Sequence, residues 1–240
     1  MKKTIKTRMI CIVLALISSC GANPFKSYET KDPAEDATVA LEQGHPDKAI
    51  DILTSALRDE PENWQYVSIL ALAYAERAGI DALTLAQNMA STSGSSGGSS
   101  GNGVTSLFSL LPAPTSENIS DVDQAVSLMI SIPSASMTTA DILKLAMFQT
   151  AALTLRTKKY DLNGDGIVSA AEILAMSAGD ATTILSQLSG AAAAFAGGSS
   201  TSETDAAAAA QISSIQTSIS SCPGANQEAQ LKNYLSKTGC

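Results

Sequence analysis

The side chains best suited to chemistry lie in one short segment, residues 161–172. Oxygen donors recur there at alternate positions, and a further carboxylate closes the segment. Its three carboxylates repel one another, and a cation bound between them would relieve that repulsion. Hard cations are held in proteins by carboxylate, amide and hydroxyl oxygens of this kind. The donors are, in chain order, Asp161, Asn163, Asp165, Ser169 and Glu172.

The first half of this segment has the order of a metal-binding turn. Asp161, Asn163 and Asp165 alternate with other residues, and Gly166 follows where a sharp turn requires a positive φ. The pattern resembles the calcium loop of the EF-hand family, with side-chain ligands at positions 1, 3 and 5 and a glycine at position 6. The resemblance implies that calcium is the cofactor.

The second half of the loop completes the resemblance. It implies that Ile167 supplies its backbone carbonyl oxygen and that Ser169 binds directly or through a water. Glu172, at the last position, is implied to bind calcium with both carboxylate oxygens. Ser169 and Glu172 also have the spacing of a helix capping box. A polar turn between two helices, with no metal, is therefore the alternative.

The loop stands alone in this sequence. EF-hands usually work in pairs, and no second segment of this type follows or precedes residues 161–172. Val168 occupies the position at which the family makes a short strand contact with a partner loop. The missing second loop leaves open a degenerate partner, another chain, or none.

The first twenty residues have the organisation of a targeting segment rather than of folded structure. Four basic side chains precede an apolar run over 9–17, which is too short to span a bilayer as a permanent helix. The run ends in Leu-Ile-Ser-Ser-Cys at 16–20, which resembles a bacterial lipobox. The resemblance implies cleavage before Cys20 and lipid attachment to it, which gives a membrane anchor. An ordinary signal peptide with a chance cysteine is the alternative.

Charge and the residue after Cys20 bear on location and partners. Gly21, rather than Asp, follows the cysteine, and by the rule for enteric lipoproteins this favours the periplasmic face of the outer membrane. Removing residues 1–19 leaves 11 Lys and Arg against 23 Asp and Glu, a formal charge of −12. Such a charge argues against nucleic acid as a partner and against binding anionic lipid by charge.

Two cysteines remain near the end of the chain, Cys222 and Cys240. An oxidising envelope would permit them to form a disulfide that ties the C-terminal tail to the preceding helix. Two free thiols are the alternative. A redox role is not indicated, because the pair has no C-x-x-C spacing and no nearby histidine.

The composition predicts an all-α protein. Aromatic residues make up 4% of the chain, and apolar residues recur at helical rather than strand spacing. A Gly/Ser-rich run over 91–103 is predicted to be a flexible linker between two helical parts. Residues 20–32 are predicted to be a spacer after the lipid, 33–90 the N-terminal part, and 104–240 a helical bundle that contains the loop.

The N-terminal part carries a second resemblance. Small, apolar and turn residues fall at the spacing of the tetratricopeptide repeat, in which small side chains let paired helices approach closely. The resemblance implies helical hairpins that present a groove to an unidentified envelope protein. Generic antiparallel hairpins are the alternative. The matching residues are Gly44, Ala49, Leu53, Ala56 and Pro61, followed by Leu70, Ala71 and Tyr74.

Helix boundaries follow from apolar spacing and from capping residues. The predicted helices are 33–44, 46–59, 63–78, 80–90, 119–131, 138–158, 169–178, 180–195, 204–221 and 225–236. Those over 138–158 and 169–178 would enter and leave the candidate loop.

No catalytic constellation is recognisable, and we predict that the protein is not an enzyme. The single histidine, His45, lies between Gly44 and Pro46 in a predicted turn. A zinc site would need further ligands near it. No phosphate loop, dinucleotide motif or nucleophile elbow is present, and no small-molecule substrate is indicated.

Three functions therefore remain open. The first is a calcium-binding, lipid-anchored interaction module. The second is a helical envelope scaffold or assembly factor in which calcium is structural, weakly bound or vestigial. The third is a regulator that opens on binding calcium, which the steady calcium of an extracytoplasmic space disfavours.

Overall fold

The computed structural model describes residues 32–81, 84, 85, 87, 105–197 and 203–236. Every regular element within those ranges is helical, and none is a strand, which confirms the all-α prediction. The predicted signal peptide, nearly all of the spacer and the Gly/Ser linker lie outside the described residues.

Within the described residues of the N-terminal part, three helices have defined bounds: α1 (Pro33–Glu42), α2 (Pro46–Asp59) and α3 (Trp64–Arg77). Each packs on the next, and their mutual core includes the fully buried Ala49 and Leu53. Gly44 turns the chain between α1 and α2 with φ 73°, which a side chain would disfavour. Asn63 caps α3 by accepting the backbone N–H of Tyr66 at 3.4 Å. Helical pairs are thus present, while their membership of the tetratricopeptide family stays a prediction.

The described ranges 105–197 and 203–236 contain six further helices, together with 3-10 turns at Thr105–Leu110 and Ser134–Ser136. They are α4 (Ser116–Ser131), α5 (Thr139–Lys158), α6 (Ala170–Ile173), α7 (Ala178–Gly197), α8 (Glu203–Ser221) and α9 (Gln227–Leu235).

The largest departure from the predicted boundaries is the helix that leaves the candidate loop. A helix over 169–178 is predicted, but α6 is a single turn. After it, the backbone N–H groups of Ala175 and Met176 bond three residues back, as in a 3-10 turn. Ser177 then caps a new helix by accepting the N–H of Asp180 at 3.0 Å. The second cap divides one predicted helix into two.

The start of α4 also differs from its predicted position. The helix begins at Ser116 rather than at 119, because Thr115 accepts the backbone N–H of Asn118 at 3.1 Å. Apolar spacing alone places the boundary too late, because a threonine cap lies outside the apolar stripe.

The packing of α5 along α7 holds the two ends of the candidate loop. Gly190 of α7 permits the close approach, because a Cβ at that position would collide with the side-chain amide of Gln149. Buried threonines of α5 satisfy their hydroxyls internally by donating to carbonyl groups four residues earlier. Those threonines are Thr150, Thr154 and Thr157.

The described residues on either side of 91–103 share one core. Val67 and Ala71 of α3 belong to the same buried cluster as Val122 of α4 and Phe148 of α5. The described residues from Pro33 onward accordingly belong to one compact unit. The two predicted helical parts are in contact, a point on which the sequence is silent.

Two polar contacts fasten α3 to the helices that follow. Arg77 donates to both carboxylate oxygens of the buried Asp121, at 2.6 and 2.8 Å. Ser68 donates to Asp141 of α5 at 2.5 Å and accepts from Lys144 at 2.7 Å. Burial raises the pKa of Asp141, but hydrogen bonds from Ser68 and Thr138 and the charge of Lys144 outweigh burial, so the net pKa is lowered. Asp141 is therefore an ionised structural contact.

Candidate metal centre

The candidate loop follows directly on the end of α5. The carboxylate of Asp161 accepts two backbone N–H groups from further along, that of Asp165 at 3.1 Å and that of Gly166 at 2.9 Å. Asn163 also accepts the N–H of Asp165, at 2.9 Å, and Asp165 accepts that of Ile167, at 2.8 Å. The loop therefore curls around its first three predicted ligands.

Two glycines allow the backbone to adopt the conformation of this loop. Gly164 and Gly166 have φ of 73° and 80°, in the left-handed region. The positive φ predicted at Gly166 is therefore present. A Cβ at either glycine would meet no neighbouring atom, so it is the backbone conformation, and not space, that favours glycine.

Ile167 and Val168 point to opposite environments. The side chain of Ile167 is exposed. Because that side chain is a hydrocarbon, only the backbone carbonyl can take the predicted ligand role. Val168 is fully buried and belongs to the main core. The residue that the family uses to contact a partner loop is therefore occupied within its own chain.

Glu172 is the most heavily engaged of the predicted ligands. One of its carboxylate oxygens accepts the N–H groups of Leu162 and Asn163, at 2.9 and 3.1 Å. The other accepts the N–H and the hydroxyl of Ser169, at 2.8 and 2.7 Å. The backbone N–H of Glu172 in turn reaches the Ser169 hydroxyl, so the capping box is formed in both directions.

The electrostatics of Glu172 follow from these contacts. The backbone and hydroxyl hydrogen bonds from Ser169 lower the pKa of its carboxyl most, and the N–H groups of Asn163 and Leu162 add to them. Glu172 is thus an ionised carboxylate, which is the state that a calcium ligand requires. Its four acceptor sites are all in use.

The residue types of the loop fit a hard cation, but their arrangement is that of a loop closed on itself. No group of three or more His, Cys, Asp or Glu side chains in the described ranges is placed to hold a metal. Binding calcium with both oxygens would require each oxygen of Glu172 to release at least one of its present donors, a backbone N–H of Leu162 or Asn163 on one oxygen and the N–H or hydroxyl of Ser169 on the other. Asp161, Asn163 and Asp165 are brought together by the fold, and Glu172 joins them as a cap.

Sequence reasoning missed the polar side chains that hold the loop ends. The hydroxyl of Tyr160 donates to Asp180 and accepts the N–H of Ser177 at 3.3 Å. Asp180 also receives hydrogen bonds from Lys159 at 3.1 Å and from Arg156 at 3.3 Å. The spacing of Ser177 and Asp180 indicates only a helix cap, so the sequence does not predict their contact with Tyr160.

The remaining predicted sites are reported residue by residue. Cys20 and Cys240 lie outside the described residues. Cys222 is buried and disulfide-bonded, while its pairing with Cys240 stays a prediction. His45 is exposed in the turn before α2, as predicted.

No described helix combines the length and the apolar character needed to cross a membrane. No protein-family model matches the chain, and comparisons with curated proteins and with solved structures give no match either. The EF-hand, lipobox and tetratricopeptide resemblances therefore stand on the residues that carry them.

Proposed function

We propose that this chain is a calcium-binding, lipid-anchored protein of the cell envelope that acts as an interaction module, with calcium in a mainly structural role. The observation that carries the proposal is the loop around Asp161, Asn163 and Asp165. Their oxygens face one short turn, and each can accept a further partner beside its present hydrogen bonds. Among the described residues, no basic side chain hydrogen-bonds to any of the three, although Lys158 interacts electrostatically with Asp161.

A structural role for the ion follows from how the loop is built in. Val168 and Ile173 are buried in the main core, and Tyr160 ties the entry of the loop to α7. These contacts leave little room for the large opening of a sensor. Calcium here would strengthen the connection between α5 and α7 rather than expose a new surface.

A second candidate is a helical scaffold in which calcium binding is weak or vestigial. The engagement of Glu172 favours it, because a carboxylate with four satisfied acceptor sites stabilises the loop without metal. The two candidates differ in affinity and not in fold, so a binding measurement separates them.

Calorimetric titration of the chain from residue 21, which retains every described residue, tests the proposal. Calcium is expected to bind at one site per chain and to raise the melting temperature, because it binds the folded form alone. At a calcium concentration one hundred times Kd, the stabilisation is about 2.7 kcal/mol. Magnesium serves as the control, since it demands a tighter octahedral geometry. A titration with millimolar calcium that releases no heat and leaves the melting temperature unchanged would favour the scaffold.

Lipid attachment at Cys20 anchors the proposed protein to the periplasmic face of the outer membrane. Cys20→Ser is expected to move the protein from the membrane fraction to the soluble fraction and to abolish incorporation of labelled palmitate. Several acyl chains are needed for firm attachment, each buried CH₂ contributing about 0.8 kcal/mol. Cys11→Ser, in the same segment, is the matched control. Unchanged labelling of Cys20→Ser would contradict the anchor.

The partner surface of the proposed module is the N-terminal set α1, α2 and α3. Its helices pack in succession, and Trp64 at the start of α3 is half-buried. Amphipathic helical pairs of this kind can offer a groove to a partner segment. Nothing in the described residues indicates a nucleic acid or a small-molecule substrate.

A further inference from the structure

We infer that the hydroxyl of Tyr160 positions the calcium loop by tying its two ends together, an inference that rests on the proposed function. We call Tyr160, Ser177 and Asp180 the Tyr160 clamp. The hydrogen bonds of the Tyr160 hydroxyl go to Asp180 and Ser177 rather than to a predicted ligand, so Tyr160 is a positioning residue.

The clamp closes the loop as a ring. Tyr160 directly precedes Asp161, the first predicted ligand, and Ser177 directly precedes α7, after the last one. Because the Tyr160 hydroxyl accepts the N–H of Ser177 and donates to Asp180, residues 161–176 are bounded at both ends by one side chain. This hydroxyl then joins the loop ends in addition to the packing of α5 along α7.

The clamp is itself held from several directions. The side chain of Tyr160 is buried. Asp180 is bound by Lys159 on one carboxylate oxygen and by Arg156 on the other. Arg156 also forms an ion pair with Asp123 of α4. The acceptor that receives the Tyr160 hydroxyl is therefore fixed by α4, α5 and α7 together.

Fixing the ends of the loop should strengthen its affinity for a cation. Ordering a flexible segment on binding reduces affinity, and a segment whose ends are already joined loses less freedom. Without the Tyr160 hydroxyl, the Ser177 N–H loses its acceptor and Asp180 loses a donor. All six predicted ligand groups would remain, so a change in affinity would report their placement.

Tyr160→Phe in the chain from residue 21 tests the inference. Calcium Kd is expected to rise about tenfold, because a hydrogen bond to a charged group is removed while the ring is retained. Most of that change is expected in the calcium off-rate, measured by rapid mixing with a chelator. Circular dichroism in chelator confirms that the variant is folded. Tyr74→Phe on α3, whose ring stays over Arg77, is the matched control.

Substitutions of the acceptor test the same contact from its other side. Asp180→Asn keeps an oxygen that can accept from Tyr160 and is expected to bind more tightly than Asp180→Ala. Combining Tyr160→Phe with Asp180→Ala should weaken calcium binding by less than the sum of the two single effects, because both substitutions remove the same Tyr160–Asp180 hydrogen bond, while the bond from the Ser177 N–H is lost only with the Tyr160 hydroxyl. Additive effects would overturn the inference.

The outcomes separate the inference from the proposed function. A wild-type chain that binds no calcium would overturn the proposed function and the inference with it. The inference alone would be overturned if the wild-type chain binds calcium and Tyr160→Phe has the same calcium Kd as the Tyr74→Phe control. If Tyr160→Phe is unfolded in chelator, the calcium Kd of Asp180→Asn is compared with that of Asp180→Ala. Equal values would overturn the inference.

Discussion

Replacing Glu172 with glutamine is expected to weaken calcium binding by about a hundredfold or more. Loss of a group that merely orients a ligand already weakens metal affinity 10- to 100-fold, and Glu172 is predicted to be a ligand itself. Glutamine keeps the length of the side chain but offers one neutral oxygen in place of two charged ones. Calorimetric titration of the variant against the wild-type chain measures the difference.

The same substitution should destabilise the chain in the absence of calcium. The amide nitrogen of glutamine cannot accept the hydrogen bonds that one oxygen of Glu172 now receives, so partly buried N–H or O–H groups lose partners. The loss is expected as a lower melting temperature in chelator. Glu117→Gln, at an exposed position of α4, is the control and should change neither quantity. Wild-type calcium affinity in Glu172→Gln would show that the ligand role is wrongly assigned.

The two readings of Ser169 and Glu172 show what sequence could predict about this site. Their spacing fits a capping box and the end of a metal loop equally well, because both need an oxygen and a long carboxylate three residues apart. The structure forms the capping box. The metal role needs the carboxylate to exchange partners, which no pattern of residue types reveals.

Local signals predicted most of the fold, and they failed where a second local signal competed. Apolar spacing located α2 at its observed bounds and α5 within one residue. Apolar spacing also predicted one helix that includes Ser177, although Ser177 caps a new helix by accepting the N–H of Asp180. A cap inside an apolar stripe is a weak sequence signal, since serine also occurs within helices.

Contacts between distant segments lie beyond what spacing can give. Ser68 meets Asp141, and Arg77 meets Asp121, across the segment that contains the Gly/Ser run. Linker-like composition is typical of a stretch that cannot build a core, and residues 91–103 lie outside the described residues. It carries no information on whether the helices at its two ends pack together.

That packing can be tested at Phe148, which is fully buried on α5 in the cluster shared with α3. Phe148→Ala is expected to reduce the free energy of unfolding by about 3–5 kcal/mol, from lost burial and the cavity left behind. For a chain of this size, the melting temperature should fall by roughly 10 °C. Because the core is shared, the N-terminal helices should melt at the same lowered temperature.

Trp64, the single tryptophan, makes the measurement specific to the N-terminal part, since it lies at the start of α3 and packs against the shared cluster. Its fluorescence transition should coincide with the far-ultraviolet circular dichroism transition, both in the wild-type chain and in Phe148→Ala. Ile130→Ala, at a position 60% exposed, should leave both transitions in place. If the Trp64 transition stays at its wild-type temperature while the dichroism transition falls, residues 33–90 fold as a separate unit. Residues 91–103 would then link two independently folding parts.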